Sequence, residues 1–135
     1  MGVPAPACIQ RSWSLWDLSE DERETVLFLR RVMRERGNTC AFMTQIDEAI
    51  NRLRSQIDDQ RERHRAWRSR QRWWRVWQQE EEPFNPDAYQ LPLVATADGW
   101  VQFMLCIEAL RRRGILREKR LEFPGSLEYM YWFLD

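Results

Sequence analysis

Lysine, histidine and cysteine are scarce in this chain of 135 residues, which holds one lysine, Lys119, one histidine, His64, and three cysteines. Cys8, Cys40 and Cys106 are odd in number, far apart and without a CxxC pair. Neither a disulfide framework nor a zinc site is indicated, and the chain reads as intracellular, expected in the cytoplasm. An organelle import signal stays open, because nothing before Asp17 is acidic. His64 sits between Arg63 and Arg65 and has no second ligand one turn away, so it reads as a surface residue. Long apolar runs are missing too. The stretch from Trp100 to Leu110 is interrupted by Gln102 and Glu108 and falls short of the roughly 20 residues that a membrane span needs. The start, MGVPAPACIQRS, lacks a charged region leading into an apolar core, so no secretory signal is expected; Pro6 stands where a myristoylation motif wants Ser or Thr. There is no GxSxG, no HExxH, no P-loop glycine array and no dinucleotide fingerprint. The expectation is a protein that is not an enzyme, with no cofactor, no metal and no small-molecule substrate. Net charge is absent as well: 21 basic residues balance 21 acidic ones, so any attraction to a charged partner must be local.

What the chain has in plenty is arginine and tryptophan. Twenty of the 21 basic residues are arginine, and there are eight tryptophans. A GC-rich genome explains the first bias blandly; chemically, the planar guanidinium suits carboxylate, phosphate and aromatic faces. Both residues concentrate in RERHRAWRSRQRWWR, Arg61 to Arg75. At 100° per residue, Arg61, Arg65, Arg68, Arg72 and Arg75 form one stripe of a helix, while Trp67, Trp73, Trp74 and Trp77 spread over the far side. A cationic face backed by an aromatic one fits an element docked between an anionic and an apolar partner. It fits equally a helix that packs its tryptophans at home and solvates its arginines.

The pattern along the chain predicts a mainly α-helical protein. Residues 1–18 read as an arm, ending on Trp13, Leu15, Trp16 and Leu18, and residues 19–82 as an antiparallel helical hairpin. Its first helix starts at the capping box Ser19-x-x-Glu22, carries Val26, Leu29 and Met33 on one stripe with Phe28 and Val32 beside it, and stops at Gly37. Glu20, Asp21, Glu22 and Glu24 complement the helix start rather than hold a cation. The second helix repeats Met43, Ile46, Ile50, Leu53 and Ile57 at heptad spacing, and nothing from Phe42 to Gln79 is glycine or proline. Past Ile57 the same positions hold Gln60, His64, Trp67, Gln71 and Trp74, so the two halves should face different neighbours, or the helix should bend near Asp58. Glu48 with Arg52 and Asp59 with Arg63 are expected as pairs one turn apart. Residues 83–97 read as an extended connector around PFNPDAYQLP. Residues 98–135 read as a C-terminal helical segment: a helix capped by Asp98, with Trp100, Phe103, Met104, Ile107 and Leu110 on its stripe, closes at Arg111 to Gly114, with Ile115 packing back. The last stretch is open between a helix from Ser126 to Leu134, which is the reading preferred, and a short β-hairpin around Pro124-Gly125.

A helix from Asp98 to Arg113, followed by Gly114-Ile115-Leu116 and a hairpin tipped by Pro124-Gly125-Ser126, is similar in order to a winged helix, and this similarity implies nucleic-acid binding. In size and character alone the chain also resembles the small helical subunits of CRISPR effector complexes and the helical tail-assembly chaperones of phages; no residue is transferred from either. The expectation is a non-catalytic helical accessory or structural subunit that docks into a larger, nucleic-acid-containing or purely protein assembly. Its contact residues would be Arg61, Arg65, Arg68, Arg72 and Arg75 with Trp67, Trp73, Trp74 and Trp77. The alternative is direct RNA or DNA binding through the arginine stripe or the winged-helix-like end.

Overall fold

A computed structural model describes residues 13–73 and 81–134, with the side chains of residues 72 and 73 left outside the description. Helix α1 spans Glu20–Glu35 and begins as the capping box predicts: Glu22 N donates to Ser19 Oγ at 3.2 Å and Ser19 N donates to Glu22 Oε1 at 3.2 Å. It ends at Gly37, whose φ of 65° lets Gly37 N reach the Arg34 carbonyl and Asn38 N reach that of Met33. The chain then runs through a short strand, β1 (Cys40–Phe42), into α2 (Met43–Trp73). Phe42 N donates to the Gln45 side chain, and Thr44 donates from both N and Oγ1 to Glu128, far along the chain, at 3.3 and 2.8 Å. Glu128 thus supplies the negative charge that the start of α2 lacks in its own first turn.

Residues 81–98 return along α2 with 3-10 turns at Pro86–Ala88 and Leu93–Ala95. Helix α3, Gly99–Arg112, stops at Gly114 (φ 74°) with Ile115 N bonded to the Leu110 carbonyl and Ile115 buried, the predicted closure. Asp98 occupies the cap position, but its side chain makes no capping hydrogen bond. Two strands follow, β2 (Leu116–Phe123) and β3 (Ser126–Phe133), joined through Gly125 at φ 80°.

The protein is therefore helical over most of its length but not purely so, a mixed α/β fold with a small three-stranded antiparallel sheet. The helix preferred for Ser126 to Leu134 is corrected to a strand, and the hairpin alternative holds. Its register runs from Leu116↔Phe133 to Phe123↔Ser126, and β3 pairs again with β1 on its other edge, Cys40↔Trp132 to Phe42↔Met130, giving the antiparallel order β1-β3-β2. As a central strand β3 satisfies its backbone on both sides, which an isolated terminal helix of nine residues could not match.

The core draws on every element: Val26, Leu29 and Met33 of α1, Ala41 of β1, Ile46 and Ile50 of α2, Phe103, Ile107 and Leu110 of α3, and Leu116 and Tyr131 of the hairpin. Trp13 and Leu18 anchor the start, while Trp16 is 85% exposed. Ile50 of α2 is buried and Leu53 half-buried, and α1 packs on both α2 and α3. The described elements run α1-β1-α2-α3-β2-β3 with sheet order β1-β3-β2. The 31 residues of α2 reach about 45 Å, and an extended connector joins α2 to α3.

Candidate functional site

The C-terminal half of α2 carries the arginines and is built differently from the first half. It is one helix through Asp58, and the covered line continues at the heptad positions: Ile57 and His64 are buried, and Gln60, Trp67 and Gln71 are half-buried. What covers the line is the returning connector, tied down by side chains of α2. Arg54 Nε donates to the Val94 carbonyl at 3.0 Å and its Nη2 to that of Thr96 at 3.4 Å. Arg61 Nε donates to Asp87 Oδ1 at 2.9 Å, and His64 Nε2 shares a 2.9 Å hydrogen bond with Glu82 Oε1. Glu24 of α1 holds the same strap by accepting from Leu93 N at 3.0 Å. The two halves of α2 thus have different neighbours, as expected, without a break in the helix.

His64, expected at the surface, is 5% exposed. The strap crosses it, and the hydrogen bond to Glu82 offsets the cost of burying the imidazole. Arg61 departs from the stripe in its chemistry: its charge is taken by Asp87 and, at 3.5 Å, by Asp58. Arg65 and Arg68 stand exposed on the same side of α2, and Arg63 on the opposite side; among the described residues none of the three makes an ion pair. The expected pair Asp59–Arg63 is therefore not formed, and Glu48 pairs across the turn with Arg36 at 2.8 Å instead of with Arg52. Trp67 lies beside His64, ring centroids 5.4 Å apart, on the margin of the strap. The side chains of Arg72 and Trp73, and residues Trp74, Arg75 and Trp77 altogether, lie outside the described residues.

Among the described residues no group of His, Cys, Asp and Glu could hold a metal ion. A cavity of about 360 Å³ opens between α1 and the strap, walled by Leu27, Phe28, Leu53, Leu93 and Phe103; of its charged members, Glu24 is engaged by Leu93 N and Arg31 by Glu35. Burial alone would raise the Glu22 carboxyl, but hydrogen bonds from Ser19 and the Arg113 guanidinium outweigh it and hold the group below its ordinary value. Burial raises the Cys106 thiol, and burial together with a hydrogen bond to Glu118 raises the Tyr131 phenol. Each of these shifts has its cause in burial and in contacts within the fold.

Several exposed apolar groups were not singled out from the sequence. Val101 and Leu105, 57% and 58% exposed, lie one turn apart on the outward side of α3, next to the Glu108–Arg112 pair. Their signal was present: the apolar residues of Gly99–Arg112 cover more of the helix than one buried stripe needs. Phe84 and Tyr89 stack on the strap at 5.4 Å, both exposed. No family model, curated protein or solved structure matches the chain.

Proposed function

We propose that this chain is a non-catalytic accessory subunit that docks into a larger assembly through the C-terminal half of α2. The observation that carries the reading is the state of Arg65 and Arg68. They project from a helix that is covered on one side by its own strap, and among the described residues neither has an anionic partner. Such a face binds an acidic protein surface or a phosphate backbone. A helix partner is expected to engage Trp67 at the margin as well.

A second reading, direct RNA or DNA binding, is favoured by the order α3-β2-β3, which is similar to that of a winged helix. The stripe of α3 that would lie in a major groove presents Val101, Leu105 and an internally paired Glu108–Arg112, not free donors, and this supports docking on protein instead.

The test is Arg65→Gln with Arg68→Gln in the full chain, since glutamine keeps helix propensity while removing both charges. Wild type expressed in its own cells is expected to elute in a complex and the double variant as free chain, with the same circular dichroism. Unchanged elution of the double variant in the complex would refute the role given to this face. If phosphate is the partner, the salt slope of binding falls by about 0.7 to 0.9 per contact removed. If carboxylates are the partner, charge reversal on the other side restores docking.

A further inference from the structure

We propose that the outward face of the three-stranded sheet is a stacking platform for single-stranded nucleic acid, a site separate from the docking face on α2. Strand alternation and register place two rows of side chains there: Cys40, Trp132 and Arg117 in one, Phe42, Met130 and Lys119 in the next. The opposite face carries Ala41, Tyr131 and Leu116, which are buried in the core. Among the described residues Trp132, Met130, Phe42 and Cys40 are half-buried and belong neither to that core nor to the residues packed against it, so they form a second apolar surface.

The charges of β2 are sorted by the same alternation. Glu118 and Glu122 fall on the core-side face, where Glu118 bonds to Tyr131 and Glu122 pairs with Arg120 at 3.1 Å. Arg117 and Lys119 fall on the outward face, both exposed and, among the described residues, without an ion pair. Glu128 shares their face opposite Leu121, but its oxygens accept from Thr44 N, Thr44 Oγ1 and Tyr129 N, so its charge is committed to the start of α2. What remains is an indole and a thioether flanked by two unneutralised cations. Rows two residues apart on an antiparallel strand are separated by about 6.8 Å, a spacing that successive nucleotides of an extended strand can follow. Bases have the π-faces to cover Trp132, and their phosphates complement Arg117 and Lys119. An apolar protein surface would leave both cations uncompensated, and duplex nucleic acid offers no free base to stack.

The experiment is fluorescence anisotropy of labelled oligothymidylate and oligouridylate, each about twelve nucleotides, with a matching duplex, against the full chain. The wild type is expected to bind the single strands and to prefer them over the duplex; the two single-stranded arms show whether the sugar matters. Trp132→Leu keeps apolar volume but removes the ring and should weaken binding by about 5- to 150-fold, the equivalent of about 1 to 3 kcal/mol of stacking per base. Arg117→Gln with Lys119→Gln, both at exposed positions that leave folding intact, should lower the salt slope by about 1.4. Arg65→Gln with Arg68→Gln should leave this binding unchanged. The proposal is overturned if the wild type binds neither oligonucleotide at low salt, which would leave the face to a protein partner. It is also overturned if the Arg117/Lys119 variant binds as wild type does, or if the Arg65/Arg68 variant alone abolishes binding.

Discussion

Replacing Gly99 by alanine sets two physical effects against each other, and the structure decides the sign. At the first position of α3, alanine would be favoured over glycine by up to about 1 kcal/mol on helix propensity alone. An added Cβ, however, would overlap the Leu93 carbonyl oxygen and stand 2.9 Å from the Val94 carbonyl carbon and 3.1 Å from that of Leu93. Carbon atoms in comfortable contact keep about 3.5 to 4.0 Å, so the strap must retreat by roughly half an ångström or more. Its atoms are backbone, and they are held by Arg54 at the Val94 and Thr96 carbonyls and by Glu24 at Leu93 N, so they cannot simply rotate away. Overpacking of this kind costs about 1 to 3 kcal/mol, and losing a charged hydrogen bond adds about 1.5 kcal/mol or more. The expected net loss is about 3 kcal/mol, measured by urea denaturation followed by far-ultraviolet circular dichroism. With a slope of about 1 to 3 kcal/mol per molar, the midpoint should fall by about 1 M or more. Gly37→Ala calibrates the result: its φ of 65° is strained for alanine, yet nothing lies within 4 Å, so only about 1 to 2 kcal/mol should be lost. A Gly99→Ala midpoint equal to or above wild type would refute the tight seating of the strap on α3.

Arg54→Met keeps the aliphatic length but withdraws both donors from the strap carbonyls; we expect about 1.5 to 3 kcal/mol of destabilisation, and hydrogen exchange should rise from Val94 to Thr96 before it rises in α1. Glu22 is held below its ordinary value of 4.5 in the folded chain, so its contribution is fully present above that pH and is lost as pH falls through the lower folded value. Glu22→Gln should therefore be less stable than wild type near neutrality, with the two denaturation midpoints converging in acid; a gap that widens below pH 4.5 would reverse the assigned direction.

The ends of α1 and α3 were legible because caps are local: Ser19 with Glu22, Gly37 and Gly114 each act within a few residues of themselves. The C-terminal hairpin was not, and Tyr129 to Phe133 shows why. Apolar side chains occur on both faces of β3, with Tyr131 turned to the core and Met130 and Trp132 turned outward. The period of two that marks a half-buried strand is erased, and a short apolar run fits a helix equally well. Strand β1 escaped for a different reason: three residues carry no periodicity, and their partner lies some 90 positions away. For the candidate site, the shared side of Arg61, Arg65 and Arg68 follows from the helical period, whereas the capture of Arg61 by Asp87 and the burial of His64 depend on where the strap returns. Tertiary neighbours of that kind leave no pattern within the helix itself.

The 21 basic and 21 acidic residues are only partly paired with one another within the fold. Many of the acids are consumed within the fold: Glu22 at the start of α1, Glu24 at the strap, Glu82 on His64, Asp87 on Arg61, and Glu128 at the start of α2. A carboxylate that accepts two or three hydrogen bonds from its own chain is positioned for those donors and offers less to a partner. Among the described residues, Arg65 and Arg68 on α2, and Arg117 and Lys119 on β2, make no ion pair. At physiological salt a field decays over about 8 Å, so these cations do not steer a distant partner; they act only once a surface is in contact. On the two proposals made above, the exposed side of α2 and the outward face of the sheet are separate contact places, each of which would meet anionic groups of its own occupant. Substituting one pair at a time distinguishes these places, because charges on different elements with no shared partner should contribute additively to binding, whereas charges within one contact surface should not.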